Sequence, residues 1–211
     1  MKVCMITSLH SPKDDRIFFK QAKSLQNNGF EVSILCLADE NGKMKDMSGK
    51  VINANNEEEI ICDGIQIICI KKQSGFFQKS LHKFAKGKCW GNFIKKAIQI
   101  NADVYHAHEP QTAFIGLKIQ SQTKAKLIYD AHENYPALMS LHLPKTLVFL
   151  LTQWEKWLIK FVDTTITAST VLRDEYLSQG RTPVITLGNF QDMELSFQYT
   201  FLNGHQIHMQ Y

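Results

Sequence analysis

No stretch of this chain is apolar enough to cross a bilayer. Its best run, Leu147–Leu151, is soon followed by Glu155, Lys156 and Lys160, whereas a spanning helix needs about 18 uncharged residues. An export signal is equally absent, because Val3–Ile6 is too short for its apolar core and leads into His10 and charged residues. The expectation is a cytoplasmic protein. The five cysteines, Cys4, Cys36, Cys62, Cys69 and Cys89, are odd in number and form no C-x-x-C pair; three of them fall in expected strands as small apolar residues, which fits a reducing compartment. No G-x-G-x-x-G follows the first strand, and neither G-x-x-x-x-G-K-[ST] nor G-x-S-x-G occurs. A dinucleotide site of the usual kind, a P-loop and a hydrolase nucleophile elbow are thereby excluded, and no cofactor is expected.

Acidic residues are missing from one whole segment. Between Asp63 and Asp103 there is none, while eight lysines (71, 72, 79, 83, 86, 88, 95 and 96) contribute +8, so the rest of a chain of net charge +4 carries −4. Lys79, Lys83, Lys86 and Trp90 lie where lysines are interleaved with Phe, Trp, Leu and Ile, a pattern that suits peripheral contact with an anionic membrane. The same pattern also suits the solvated face of a helix covering a sheet. No nucleic-acid-binding motif accompanies the lysines, and nucleic acid is not expected as a partner.

What is present is an alternation of short apolar runs with helical periods. Strands are expected at Lys2–Thr7, Glu31–Leu37, Ile65–Ile70, Val104–His106, Lys126–Tyr129, Thr164–Ala168 and Val184–Leu187. Helices are expected at Asp14–Asn28, over much of Phe76–Ile100 with a break near Gly87 and Gly91, and at Thr112–Gln120, Lys145–Phe161 and Thr170–Gln179. Asp39–Glu59 reads as a polar surface excursion. Such alternation specifies an α/β, doubly wound, mostly parallel Rossmann-like sheet with helices on both faces. Residues 193–211 have no clear period and are set apart as a tail from a domain of residues 1–192.

Three clusters follow expected strands: Leu9–Arg16, which carries His10, Asp15 and Arg16; His106-Ala-His108-Glu109-Pro110; and Asp130-Ala-His132-Glu133. In an open parallel sheet the strands' carboxyl ends form the ligand crevice, so sequence-distant clusters would meet there. The period of two puts His106 and His108 on one side if the strand reaches the second histidine. An imidazole so placed donates to a hydroxyl or phosphate, or accepts a proton near neutral pH. Other readings remain open: a histidine merely hydrogen-bonded at a strand end, a helix N-terminal turn for the Asp14-Asp15-Arg16 run, and zinc chelation by His106 and His108 as in a hydrolase.

The stretches His10–Ile17, Lys20–Leu25, Gly29–Val32, Asp103–Pro110 and Tyr129–Glu133 together resemble the N-terminal domain of family 4 glycosyltransferases of the GT-B fold. Glu155, Asp163-Thr-Thr-Ile-Thr-Ala-Ser169 and Leu187-Gly-Asn189 match its weaker later pattern. The order and spacing of these segments span the chain to about Asp192. The resemblance implies one half of a GT-B enzyme and retaining transfer of a sugar from a nucleotide-sugar donor to a carbohydrate or lipid-linked acceptor. It makes His108 the catalytic candidate, with His10, Asp15, Arg16, His106, Glu109, Asp130, His132 and Glu133 on the acceptor side, and no metal. The family's second, donor-binding domain with its Glu-x7-Glu pair has no counterpart here. The expectation is therefore an acceptor-binding half with little transfer activity alone, or a non-catalytic module that works only with a separate donor domain.

Overall fold

A computed structural model describes residues 1–72, 88–178 and 183–188. Lys79, Lys83 and Lys86, the apolar positions Phe77, Leu81 and Phe84, Gly180, Asn189 and the 193–211 tail lie outside those residues.

Eight strands form one sheet: β1 (Lys2–Ile6), β2 (Glu31–Ala38), β3 (Glu59–Cys62), β4 (Ile65–Lys71), β5 (Val104–Ala107), β6 (Lys126–Ala131), β7 (Thr164–Thr167) and β8 (Val184–Thr186). Their spatial order is β3-β4-β2-β1-β5-β6-β7-β8. Every pair is parallel except β3 with β4. The chain winds outward from β1 to one edge, then returns to β5 and winds to the other, so the carboxyl ends of β1 and β5 flank the topological switch point where ligands enter such sheets.

The helices are α1 (Lys23–Asn27), α2 (Lys88–Ile100), α3 (Pro110–Thr123), α4 (Tyr135–Met139), α5 (Lys145–Leu158) and α6 (Thr170–Leu177), and a π-helix, Asp15–Ala22, leads directly into α1. Strand alternation sorts the core onto the two faces of the sheet. One face sets Cys4, Ile6, Tyr105, Leu127 and Tyr129 against Phe93, Ile119, Leu158 and Tyr176 from the helices. The other sets Met5, Ile34 and Ile67 against Ile17, Phe18 and Ala22 of the π-helix. Each fully buried Ile or Phe contributes about 1.5–3 kcal/mol relative to exposure. Gly116 marks the tightest approach of α3 to the sheet, since a Cβ there would stand 2.5 Å from Leu127 Cδ1.

Three local features depart from the expectations. The β3–β4 hairpin falls partly inside the expected surface excursion. Its turn is Asp63-Gly64, both at positive φ (49° and 79°), the conformation that two-residue hairpins of this twist require. The Asp-Gly pair between Glu59-Ile-Ile-Cys62 and Ile65-Gln-Ile-Ile68 was the available signal. The helix expected from Asp14 winds as a π-helix through Ala22, and α4 forms where no helix was expected. Asn134 caps α4, its side chain accepting from Ala137 N.

Candidate functional site at the switch point

The loop after β1 wraps around one carboxylate. Glu109, just past β5 and buried, accepts from the Thr7 hydroxyl and from the backbone N–H groups of Ser8 (3.1 Å), Leu9 (3.1 Å) and His10 (3.4 Å). It is also the N-cap of α3 in a reciprocal capping box with Thr112. Consecutive amides pointing into one concavity make an anion nest, and here the chain's own carboxylate fills it.

Asp130, at the end of β6 and wholly buried, is the second anchor. Arg16 donates to it through Nε (3.2 Å) and Nη2 (2.9 Å), and Gln21 Nε2 donates at 2.6 Å. The π-winding explains how both reach it. Residues five apart on an α-helix diverge by about 140°, and the wider π-turn, common at functional sites, brings them onto one face. Arg16 also donates to the Leu187 carbonyl at 3.2 Å, tying the segment after β8 to the cluster. Burial opposes the charged form of Asp130, but His106, His132 and the Arg16 guanidinium outweigh it and hold the carboxyl well below the usual carboxylate range.

Three imidazoles flank this ion pair, and a fourth, His10, stacks on one of them. His106 Nε2, His108 Nδ1 and His132 Nε2 lie 3.6, 3.9 and 3.7 Å from Asp130 Oδ2. The His106 and His108 rings stack at 4.5 Å, so the period-two expectation holds although β5 ends at Ala107. His108 Nδ1 lies 3.0 Å from His132 Nε2, and His132 stacks on His10 at 5.2 Å. Burial is the chief cause that pushes His108 well below the ordinary imidazole value and His132 down to about 4, with neighbouring imidazoles or Arg16 adding to it. His10 goes the other way. Its Nδ1 lies 3.6 Å from Asp14 Oδ2, and that carboxylate raises its pKa against the opposing effect of burial, helped by Glu109. Protonation is thus disfavoured at His108 and His132 inside and favoured at His10 on the rim.

His10, His106, His108, Glu109, Asp130, His132 and Arg16 therefore converge. Asp15 does not; it is exposed and pairs with Lys20 at 2.8 Å. Glu133 is exposed beside the cluster, and Trp90 is half-buried, packed edge-to-face on Phe93 at the core. Sequence reasoning overlooked Gln21, Thr7 and Thr112. Thr7 and Thr112 carried no separable signal, and Gln21 would have required knowing the π-turn.

Among the described residues, His106, His108 and Asp130 offer one atom each within 4.8 Å of one another, a set able to hold a metal ion. Unpartnered Nε2 atoms on both histidines suit that role. Arg16 and Gln21 already occupy Asp130, however, and a guanidinium in direct contact opposes a dication.

A doubly wound α/β domain of this kind is the architecture shared with GT-B glycosyltransferases. The profile of Glycosyltransferase Family 4 matches residues 16–195, and the chain belongs to that family. Sucrose-phosphate synthase from Thermosynechococcus elongatus is similar over 96% of this chain and 52% of that chain, at 13% identity and a TM-score of 0.66. Anabaena HepE, in complex with UDP and glucose, is similar over 92% of this chain and 46% of that one (16% identity, TM-score 0.58). Arabidopsis thaliana UGT89C1, complexed with quercetin, is similar over 98% and 55% (10% identity, TM-score 0.56). The chain thus spans about half the length of these proteins. No curated protein sequence matches it.

Proposed function

We propose that this chain is the acceptor-holding half of a glycosyltransferase that moves a sugar, with retention, from a nucleotide-sugar donor onto a carbohydrate or lipid-linked acceptor, the donor being held by a second domain. The observation that carries the reading is the filled nest. The amides of Ser8, Leu9 and His10 that could cradle a diphosphate are spent on Glu109, which argues for donor phosphate binding elsewhere. The imidazole cluster at the crevice is left for a neutral, hydroxyl-rich ligand.

His10 is the first imidazole an incoming acceptor meets, its side chain 36% exposed against none for His108. Kept more basic by Asp14, it is placed to hydrogen-bond an acceptor hydroxyl at the rim of the crevice. An oxocarbenium-like transition state is served by such positioned charges and donors without a covalent nucleophile. His108 is the catalytic candidate behind it. When His132 Nε2–H donates to His108 Nδ1, His108 presents Nε2–H as a donor; in the opposite tautomer it presents a basic lone pair. This reading places the protein in the cytoplasm at polysaccharide, lipopolysaccharide or glycolipid synthesis, with Lys79, Lys83, Lys86 and Trp90 towards an anionic membrane.

Separate calorimetric titrations of the purified chain with UDP-glucose and with a panel of oligosaccharide and lipid-linked acceptors test it. An acceptor is expected to bind and UDP-glucose not to, with His10→Ala and His108→Ala each weakening acceptor binding at least about tenfold while the fold is kept. Sugar transfer by the chain alone, tight UDP-glucose binding, or acceptor binding indifferent to both substitutions would refute the proposal.

A further inference from the structure

Parallel sheets are covered on both faces, yet one wing of this sheet has a single cover among the described residues. On the face that carries Met5 and Ile34, the π-helix and α1 overlie β1 and β2. Helices α3, α5 and α6 all pack on the opposite face of β5–β8. What remains is a groove of about 570 Å³, floored by Val3, Val104, Ile128 and Ile166 and ending at Leu187 and Gly188. The register sets its floor in rows: Val3 beside Val104, His106 beside Ile128, and Asp130 beside Ile166, which in turn adjoins Ile185. Ile185, 50% exposed, carries the apolar floor to the edge strand. Because His106 lines the groove and lies 3.6 Å from Asp130, the groove passes directly behind the crevice cluster.

A contiguous apolar surface marks a contact, and one segment outside the described residues is tethered where it can make it. Residues 73–87 are held at both ends on the far wing, by β4 and by α2, and α2 packs on the other face. Residues 179–182 span only the step from α6 to β8. Residues 189–211 follow Gly188 and so begin at the lip of the groove itself. Even at the compact rise of 1.5 Å per residue they reach about 34 Å, against roughly 15 Å from β8 across to β5. Over 193–201, a run too short to mark the whole tail, Met193, Leu195, Phe197, Tyr199 and Phe201 fall at every second position, the spacing that puts apolar groups on one side of an extended chain. We propose that this tail docks across the bare face of β5–β8, with Phe197, Tyr199 and Phe201 over Ile128 and Ile166.

Charge permits this pairing. Residues 189–211 hold no Lys or Arg, and their two carboxylates are Asp192 and Glu194. Arg16 and Lys20 line the groove, but each already has a carboxylate partner, Asp130 and Asp15 respectively, so the apolar floor decides the contact. A second copy of the chain fits less well. The bare patch is four strands wide and three rows deep, roughly 250 Å², well short of the ~800 Å² per partner that a stable interface buries. A tethered segment needs no such area, because its local concentration is set by the chain. The inference is independent of the transfer reaction, and its test needs no sugar.

Methyl NMR of the full chain labelled at isoleucine Cδ1, paired with chymotrypsin digestion, is the experiment. The Ile128, Ile166 and Ile185 methyls are expected to show nuclear Overhauser contacts to the rings of Phe197, Tyr199 and Phe201, and to lose them in Phe197→Ser with Phe201→Ser, a pair that alters no residue of the sheet. Ile185→Glu with Leu187→Ser changes two half-exposed side chains, 50% and 46%, and leaves the Leu187 carbonyl to Arg16. That groove variant should release the tail, so that chymotrypsin cuts at Tyr199 at least about tenfold faster than in wild type, the effect of losing one apolar anchor. Three results would overturn the proposal. These are no ring contacts at those methyls in the full chain; equal cleavage rates in wild type and the groove variant; or ring contacts that fade on dilution, which would put a second copy's tail on this face.

Discussion

Replacing Glu155 by Gln should make the protein more stable at pH 8 and leave it almost unchanged near pH 4.5. Glu155 is 3% exposed beneath α5. It accepts from the Tyr129 hydroxyl at 2.7 Å, and Tyr176 adjoins it. Burial is the largest effect on it, raising its pKa from 4.5 to about 7 against the smaller, opposing influence of the tyrosines. A rise of that size corresponds to a penalty of about 3 kcal/mol on the ionised form. The folded protein holds a proton that the unfolded chain has released, so stability is unaffected below pH 4.5, falls between 4.5 and about 7, and stays reduced above. Gln keeps an oxygen for Tyr129 and never ionises. The wild-type-minus-variant difference, in which other titrations cancel, should therefore open across that window to at most about 3 kcal/mol. For a chain of this size that is a gain in Tm of about 6–12 °C at pH 8. Thermal unfolding followed by circular dichroism at pH 5 and pH 8 measures it. Equal differences at the two pH values, or a Gln variant less stable at pH 8, would refute the reasoning that a desolvated charge dominates at this position.

Asp130→Asn leaves the Arg16 guanidinium buried opposite a neutral group and should cost about 3–5 kcal/mol in urea unfolding at pH 7. Because the folded pKa of Asp130 is depressed, that cost should shrink as the pH drops below the ordinary carboxylate range; a cost independent of pH would argue against the ion pair. Glu109→Ala strands several buried donors and should cost about 3 kcal/mol, with hydrogen exchange speeding up first at the amides of Ser8, Leu9 and His10; unchanged protection there would mean that the loop does not depend on the carboxylate.

Much of the architecture was legible in the residues themselves. Apolar runs of strand length separated by helical periods demanded a parallel sheet, and the ordered motifs from His10 to Ser169 matched one family whose profile covers residues 16–195. Polar residues at the strand ends announced a crevice, because such density is not buried without partners. The hairpin at Asp63-Gly64 was also written there, in a turn pair that precedes the expected strand at Ile65 and follows the unexpected one at Glu59–Cys62. The depth of each imidazole was not written there. His10, His108 and His132 share one residue type, yet one sits at the rim, raised by Asp14, and two are driven neutral inside.

Local periodicity and turn chemistry act over a few residues, and those the sequence determined by itself: strands, most helices, the basic segment and the family pattern. Only the tertiary structure decided that Glu109 would fill the nest of the first loop, that π-winding would deliver Arg16 and Gln21 together onto Asp130, and that the described helices would leave one face of β5–β8 uncovered. Each of those depends on groups brought together across the fold, 102 residues apart for Thr7 and Glu109 and 114 for Arg16 and Asp130, where burial and the field of neighbouring charges set protonation and contact.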